Sequence, residues 1–328
     1  MMKQFLIFNL FVLFPYWCLS HPGIGIVKDS KGFIYYTDLK NVLKIDPQTK
    51  KETIVVRNVH THELFMDGSD NLYGEHLWYN GDQLNTWGHY VWRLHSGGKL
   101  DTVVEPSPGF LEHYSFTRDS ADNMYWAQRS VPESRIEKMT PQGVVTTLYE
   151  GTFKNIRWIH VSPGGVVYVV DLTDLYKIEN GKLELLAEKL HERTSLLEYG
   201  GLQHNILGIW LDKTGNVYVA VTGGQVVKKV TPAGSVTDVV YSSGGWRPTG
   251  GVFDNDDNLW LLENSMSETR VRKIDKIELL KKPPVITNVV NKSKPFLILA
   301  TIFLVAGFII YRLAKKIKRK REMDRRSS

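Results

Sequence analysis

Six copies of one short unit constrain this 328-residue chain more than anything else in it. Each copy opens on Asp or Ser and closes six residues later on an aromatic. The pairs are Asp29 and Tyr35, Asp67 and Tyr73, Asp119 and Tyr125, Ser162 and Tyr168, Asp212 and Tyr218, and Asp254 and Trp260. The aromatics are spaced by 38, 52, 43, 50 and 42 residues. An apolar stretch precedes each Asp and another follows. Asp bonds its own backbone two residues on, and Gly or Asn tolerates positive φ, so the unit reads as two strands joined by a tight turn. An alternating segment follows each copy, as at 42–45, 136–139 and 226–230, then a polar turn and in most copies a further strand. Four strands in about 40 residues make a propeller blade. The chain is therefore predicted to be all-β: a six-bladed β-propeller with four-stranded antiparallel blades, over residues 21–280. Residues 277–280 or 285–290 are expected to supply the last outer strand.

The two ends differ from this body. Residues 1–20 read as a signal peptide, with Lys3, an apolar stretch over 5–17 and the small Ser20. Residues 281–295, with Pro283 and Pro284, read as a linker. Residues 296–312 read as a transmembrane helix whose apolar run is extended by snorkelling of Lys294 and Arg312. Residues 313–328 form a basic tail, which stays on the cytoplasmic side and leaves the body extracellular or periplasmic. Residues 312–328 hold nine Lys/Arg against Glu322 and Asp324, so the net charge of +6 belongs to this end and the body lies near −2. That gives no case for a nucleic-acid partner. The single cysteine, Cys18, lies in the leader, so a body without thiols excludes disulfides and thiolate-zinc sites.

The repeat, followed by Ile45, Asp46, Pro47 or by Val230, Thr231, Pro232, resembles the NHL-repeat propellers over residues 22–280. These are related in shape to gluconolactonase and strictosidine-synthase-like propellers. The Glu-Gly-Pro start of the calcium-binding lactonases has no match at Gly23 and Ile24. The amidating-lyase propellers hold zinc through histidines. His76, after a second strand, and His62, before a first strand, are similar to two of those positions. The resemblance implies a divalent metal in the tunnel, zinc or calcium.

Blade geometry gathers side chains from distant copies. Residues before the first strand and after the second emerge on one face near the axis, opposite the Asp turns. Five residues before the repeat Asp stand Ile24, His62, Tyr114, Arg157, Leu207 and Thr249. Three residues after the aromatic stand Asp38, His76, Gln128, Asp171, Val221 and Glu263. Glu75, His113 and His204 lie beside them, and Trp78 and Trp87 belong to a long rim loop. A polar ring is thus expected around one mouth of the tunnel. Two functions are expected of it. One is binding of a small molecule, glycan or protein, with Asp38, Glu75, Trp78, Trp87, His113, Gln128, Asp171, His204 and Glu263 as contacts. The other is a metal-dependent hydrolase or lyase. There His62, His76 and His113 hold the metal, and Tyr114 and Arg157 orient an anionic substrate. Without metal, a His beside a carboxylate suits acid–base work.

Overall fold

The computed structural model describes residues 22–81, 83–111, 114–129, 133–192 and 205–281. They form six radial antiparallel sheets, in chain order, as the repeat predicts. Blade 1 holds β1 (Ile26–Lys28), β2 (Ile34–Thr37), β3 (Asn41–Ile45) and β4 (Glu52–Arg57). Blade 2 holds β5 (Leu64–Met66), β6 (Leu72–Tyr79), β7 (Trp87–Leu94) and β8 (Leu100–Pro108). Blade 3 holds β9 (Met124–Gln128), β10 (Ser134–Met139) and β11 (Val145–Gly151), and its inner strand shrinks to one bridge between Arg118 and Met124. Blade 4 holds β12 (Ile156–Val161), β13 (Val167–Asp171), β14 (Asp174–Glu179) and β15 (Lys182–Ala187). Blade 5 holds β16 (Ile209–Leu211), β17 (Val217–Val221), β18 (Val226–Val230) and β19 (Val236–Tyr241). Blade 6 holds β20 (Arg247–Phe253), β21 (Leu259–Asn264) and β22 (Thr269–Ile274).

Blade 6 corrects one expectation. Residues 277–280 do not form its outer strand, because they belong to α1 (Lys276–Leu280), which follows β22 directly. Asp275 and Lys276 close the first turn of that helix, and Lys276 N–H donates to Asn258 Oδ1 at 3.0 Å. The alternative segment 285–290 lies outside the described residues. So do the signal peptide, the transmembrane helix at 296–312 and the basic tail.

The repeat Asp works as a buckle. Asp67 accepts from the N–H of Ser69 and Asn71, from Asn71 Nδ2 and from the Tyr73 hydroxyl, at 2.8–3.1 Å. Asp119 and Asp212 repeat the pattern with Asn123 and Tyr125 and with Asn216 and Tyr218. In blade 6, Trp260 Nε1 replaces the hydroxyl at 3.1 Å from Asp254. The residue three after the Asp has positive φ in all six copies: Gly32, Asp70, Asp122, Gly165, Gly215 and Asp257. That left-handed geometry is why only Gly or Asp stands there. Burial and the adjacent carboxylate push the Tyr35, Tyr125 and Tyr218 hydroxyls up, so they remain donors at any ordinary pH.

Apolar side chains fill the seams between blades. Tyr35, Val42 and Val56 meet Leu64, Leu72 and Trp92 between blades 1 and 2. Tyr125 and Ile136 meet Val161 and Val167 between blades 3 and 4. Tyr168 and Leu175 meet Ile209 and Val217 between blades 4 and 5. Trp210 and Tyr218 meet Leu259 and Leu261 between blades 5 and 6. Trp260 and Leu262 meet Ile26 and Ile34 and close the ring. Thr249 Oγ1 and Asn264 Nδ2 reinforce this closure by donating to Gly23 O. Among the described residues no such cluster fills the seam between blades 2 and 3.

Candidate functional site at the polar seam

Alternation along a strand sends residues four and two before each repeat Asp toward the following blade. Four before it stand Gly25, Glu63, Ser115, Trp158, Gly208 and Gly250. A Cβ on Gly25, Gly208 or Gly250 would collide with the neighbouring inner strand, so these glycines hold blades 1 and 2, 5 and 6, and 6 and 1 in backbone contact. Blade 2 carries Glu63 at this position. Two residues on, Phe65 faces blade 3, where the Arg118 guanidinium lies 5.1 Å from its ring centre and 5.3 Å from that of Tyr114. Arg118 Nη1 pairs with Asp122 at 2.7 Å, and its Nε is buried without a partner. Across the seam between blades 2 and 3, the Arg118 guanidinium on the Phe65 ring stands where the other seams have an apolar cluster among the described residues.

Glu63 lines the central tunnel, a cavity of about 620 Å³. The tunnel wall below it is mainly apolar, with Met66, Phe116, Trp158, Ile209 and Phe253. Burial and the charge of Glu75 push the Glu63 carboxyl up to about 8, against the pull of Arg129. It is a protonated donor at neutral pH. Glu75, on the same face of the blade, lies 3.5 Å from His62 Nδ1 and accepts from His62 N–H at 3.3 Å. His60 meets His62 edge-on, with ring centres 4.7 Å apart. Burial, and then the His62 and His76 charges, push His60 down.

The two histidines that the sequence pairs have different partners. His76 follows Glu75 in β6 and so projects to the opposite face, where it stacks on Trp78 and lies 5.0 Å from Tyr90. Its Nδ1 accepts the N–H of His60 at 2.9 Å, and burial pushes it down. That nitrogen is occupied, and His62 belongs to the Glu75 side. Among the described residues no three His, Cys, Asp or Glu side chains form a group that could hold a metal ion. His113 and His204 lie outside the described residues.

The remaining predicted contacts sort by what their polar atoms already do. Asp38 accepts from the N–H of Lys40 and Asn41 and caps its own turn. Asp171 accepts from the backbone of Lys154 and Asn155. Glu263 is fully buried and binds Ser242, Arg270 and Arg272. Tyr114 turns to Arg118 and Phe116, away from the ring expected at the mouth. Trp78 lies against the backbone of Gly88. Trp87 packs between Tyr79 and Phe110 at an exposed tip of blade 2. Gln128 is exposed at the end of β9.

Arg157 has a neighbour that the sequence reading missed. Arg129 Nε donates to Ile156 O at 3.0 Å, which sets its guanidinium beside Arg157. Burial and the Arg129 charge push Arg157 down, and its Nε is buried without a partner among the described residues. Glu63 and Arg129 were legible only through the repeat. Glu63 breaks a column otherwise rich in glycine, and Arg129 directly follows the column that holds Gln128.

No protein-family model matches the sequence, and no curated protein matches it. Solved structures do. A luciferin-regenerating enzyme aligns at 15% identity and TM-score 0.54, over 79% of this chain and 93% of its own. An auxiliary nutrient binding protein from Bacteroides thetaiotaomicron aligns at 12% and 0.52, over 78% and 70%. A gluconolactonase from Xanthomonas campestris aligns at 10% and 0.51, over 77% and 86%. At these identities the likeness is one of fold: the chain is a six-bladed β-propeller.

Proposed function

We propose that this protein is a membrane-anchored extracytoplasmic propeller that binds a ligand at the polar mouth of its tunnel, on the side of blades 2 and 3. The observation that carries this is the contrast among seams. Among the described residues five have an apolar cluster, whereas the sixth brings Glu63, Glu75, His62 and Arg129 together beside the tunnel. Burying polar and charged groups without full pairing costs stability, so their presence in one seam of a repeated scaffold points to use rather than folding. The signal peptide, the span at 296–312 and the basic tail support display outside the cell on one C-terminal anchor. The ligand is a small molecule, a glycan or an exposed segment of a protein.

The test is a thermal-shift screen of the full chain in lipid nanodiscs against small acids, amines, oligosaccharides and short peptides. A ligand whose shift vanishes in Glu63→Ala supports the reading. Ligands that bind equally well to Glu63→Ala and wild type would place binding elsewhere and defeat it.

A hydrolase or lyase is the second reading, favoured by one observation: Glu63 keeps its proton at neutral pH beside Glu75. A carboxyl that keeps its proton beside a second carboxyl can act as a general acid. In this reading Glu63 donates a proton, and Glu75, oriented by His62, accepts one. A metal would need ligands beyond His62 and His76. Turnover that survives exhaustive chelation and is lost in Glu63→Gln is its expected signature, whereas turnover restored only by zinc would return the metal-dependent form.

A further inference from the structure

Two guanidinium groups, Arg129 and Arg157, lie side by side with no ion pair among the described residues. Arg157 has a buried Nε without a hydrogen-bond partner, and Arg129 is anchored next to it through Ile156 O. The carboxylates around them make their hydrogen bonds elsewhere, although the Asp171 charge still acts on Arg157. Asp171 is taken up by the backbone N–H groups of Lys154 and Asn155, and Glu75 by His62. Glu63, which faces Arg129, is a neutral acid at pH 7. Two cations set side by side repel each other, and partial burial makes this worse. Folding gains nothing from that repulsion, but an incoming anion would relieve it.

Beside this pair lies the tunnel, whose lining includes Glu63 and Trp158. Trp158 follows Arg157 in β12, and with Met66, Phe116, Ile209 and Phe253 it forms an apolar wall. The cavity of about 620 Å³ lies within the range of small-molecule sites, about 300–1,000 Å³. The arginine pair beside the tunnel and the apolar stretch of its wall, which gives way to Lys28, Asp119, Asp212, Lys213 and Asp254 at the Asp turns, match a molecule with an anionic end and an apolar body.

We propose that Arg129 and Arg157 bind the oxyanion, carboxylate or phosphate, of a ligand whose apolar body enters the tunnel against Trp158. This rests on the ligand-binding reading above and deepens it. Guanidinium suits the task because its fork of donors takes an oxyanion in a bidentate manner, which an ammonium does not. Glu63, close enough for the Arg129 charge to act on it, adds a hydrogen-bonding group beside the pair.

The experiment uses four water-soluble probes on the full chain in lipid nanodiscs, with empty nanodiscs as baseline, read by calorimetry. The probes are 4-phenylbutyrate, phenyl phosphate, 4-phenylbutan-1-ol and 4-phenylbutylamine. At least one anion binds ten-fold or more tightly than the alcohol, and the amine is the weakest. Whichever anion leads distinguishes carboxylate from phosphate. Arg157→Gln and Arg129→Gln each lower anion affinity at least ten-fold, while alcohol binding stays unchanged and the melting temperature does not fall. Arg157→Lys recovers part of the loss.

If the alcohol or the amine binds as tightly as both anions, the oxyanion assignment falls and ligand binding at the mouth stands. Anion binding unchanged in both Arg→Gln variants overturns the assignment too. If none of the four probes binds, the assignment falls as well. The broader reading then falls only when the screen with Glu63→Ala also yields no ligand dependent on the mouth.

Discussion

Glu63 carries a carboxyl where Gly25, Gly208 and Gly250 carry a hydrogen, and that one difference changes the chemistry of a seam. Its proton is held to about pH 8 in the fold, against a value near 4.5 for the unfolded chain. Between those values the folded state binds more protons, so this residue lowers stability as pH rises through the window. Glu63→Gln is therefore expected to raise the melting temperature at pH 8 by about 2–4 °C, the effect of 1 kcal/mol in a domain of this size, and to do little at pH 4.5. Equal shifts at both pH values would show that the group is not desolvated in this way. Glu263 is the opposite case. It is fully enclosed but paired with Arg270, Arg272 and Ser242, and the net effect of burial and these partners holds its carboxyl below the usual value. Glu263→Gln should cost about 2 kcal/mol at pH 7, the loss of a charged hydrogen bond, measured by urea denaturation. Counting from the repeat placed Glu263, Asp171, Asp38 and His76 correctly in the chain. It gave no sign that their lone pairs were already taken by neighbours, because those neighbours are fixed by turns and cross-strand register.

At the scale of the element, the inner hairpin was the most legible part of the chain. Its signal is local: a carboxylate, a left-handed turn residue and an aromatic donor within seven positions. The buckle also explains a pH limit. In Asp67, Asp119, Asp212 and Asp254 burial opposes ionisation, yet the bonds from Asn, Tyr or Trp and the backbone hold each carboxyl below the usual value. Their contribution to stability is complete above the unfolded value near 4 and is lost as pH falls through the folded values. Acid unfolding should begin below pH 4, seen as loss of near-ultraviolet circular dichroism. Blade 4 offers a sharper test. Ser162 stands where the other copies have Asp, and its hydroxyl accepts only the N–H of Val166 within the turn. Ser162→Asp places a carboxylate six residues before Tyr168, as in the intact buckles, and is expected to stabilise by about 1 kcal/mol in urea denaturation. A neutral or destabilising result would mean that the buckle follows the fold rather than supporting it. Outer strands were less legible. Residues 277–280 have strand-like apolar content but follow Asp275 directly, and they take up α1.

At the scale of the molecule, the decisive feature is a property of pairs of blades, which no single repeat displays. A seam is composed by residues about 40 to 50 positions apart, so its polarity appears only when the copies are set in a ring. Among the described residues the ring has one seam without an apolar cluster, and blade 3 beside it has a bridge for an inner strand. Local opening draws on the regions with the fewest buried apolar contacts, so this seam should open first. The body contains no cysteine, so single introduced thiols can report the opening once Cys18 is replaced by Ser. Phe65 and Val252 are equivalent positions, each two residues before a repeat Asp and facing the next blade. Phe65 faces the polar seam, and Val252 packs with the apolar cluster that closes the ring. Phe65→Cys should be labelled at a rate that barely changes with low concentrations of urea, because a small opening exposes little new surface. Val252→Cys should be labelled at a rate that rises steeply with urea, because only global unfolding frees it. Each slope is an internal measure, so a difference in overall stability between the variants does not mimic the result. Equal steep slopes would mean that the cation–π stitching at Arg118 closes its seam as firmly as the apolar clusters close theirs, and the site would then be a rigid mouth rather than a seam that opens.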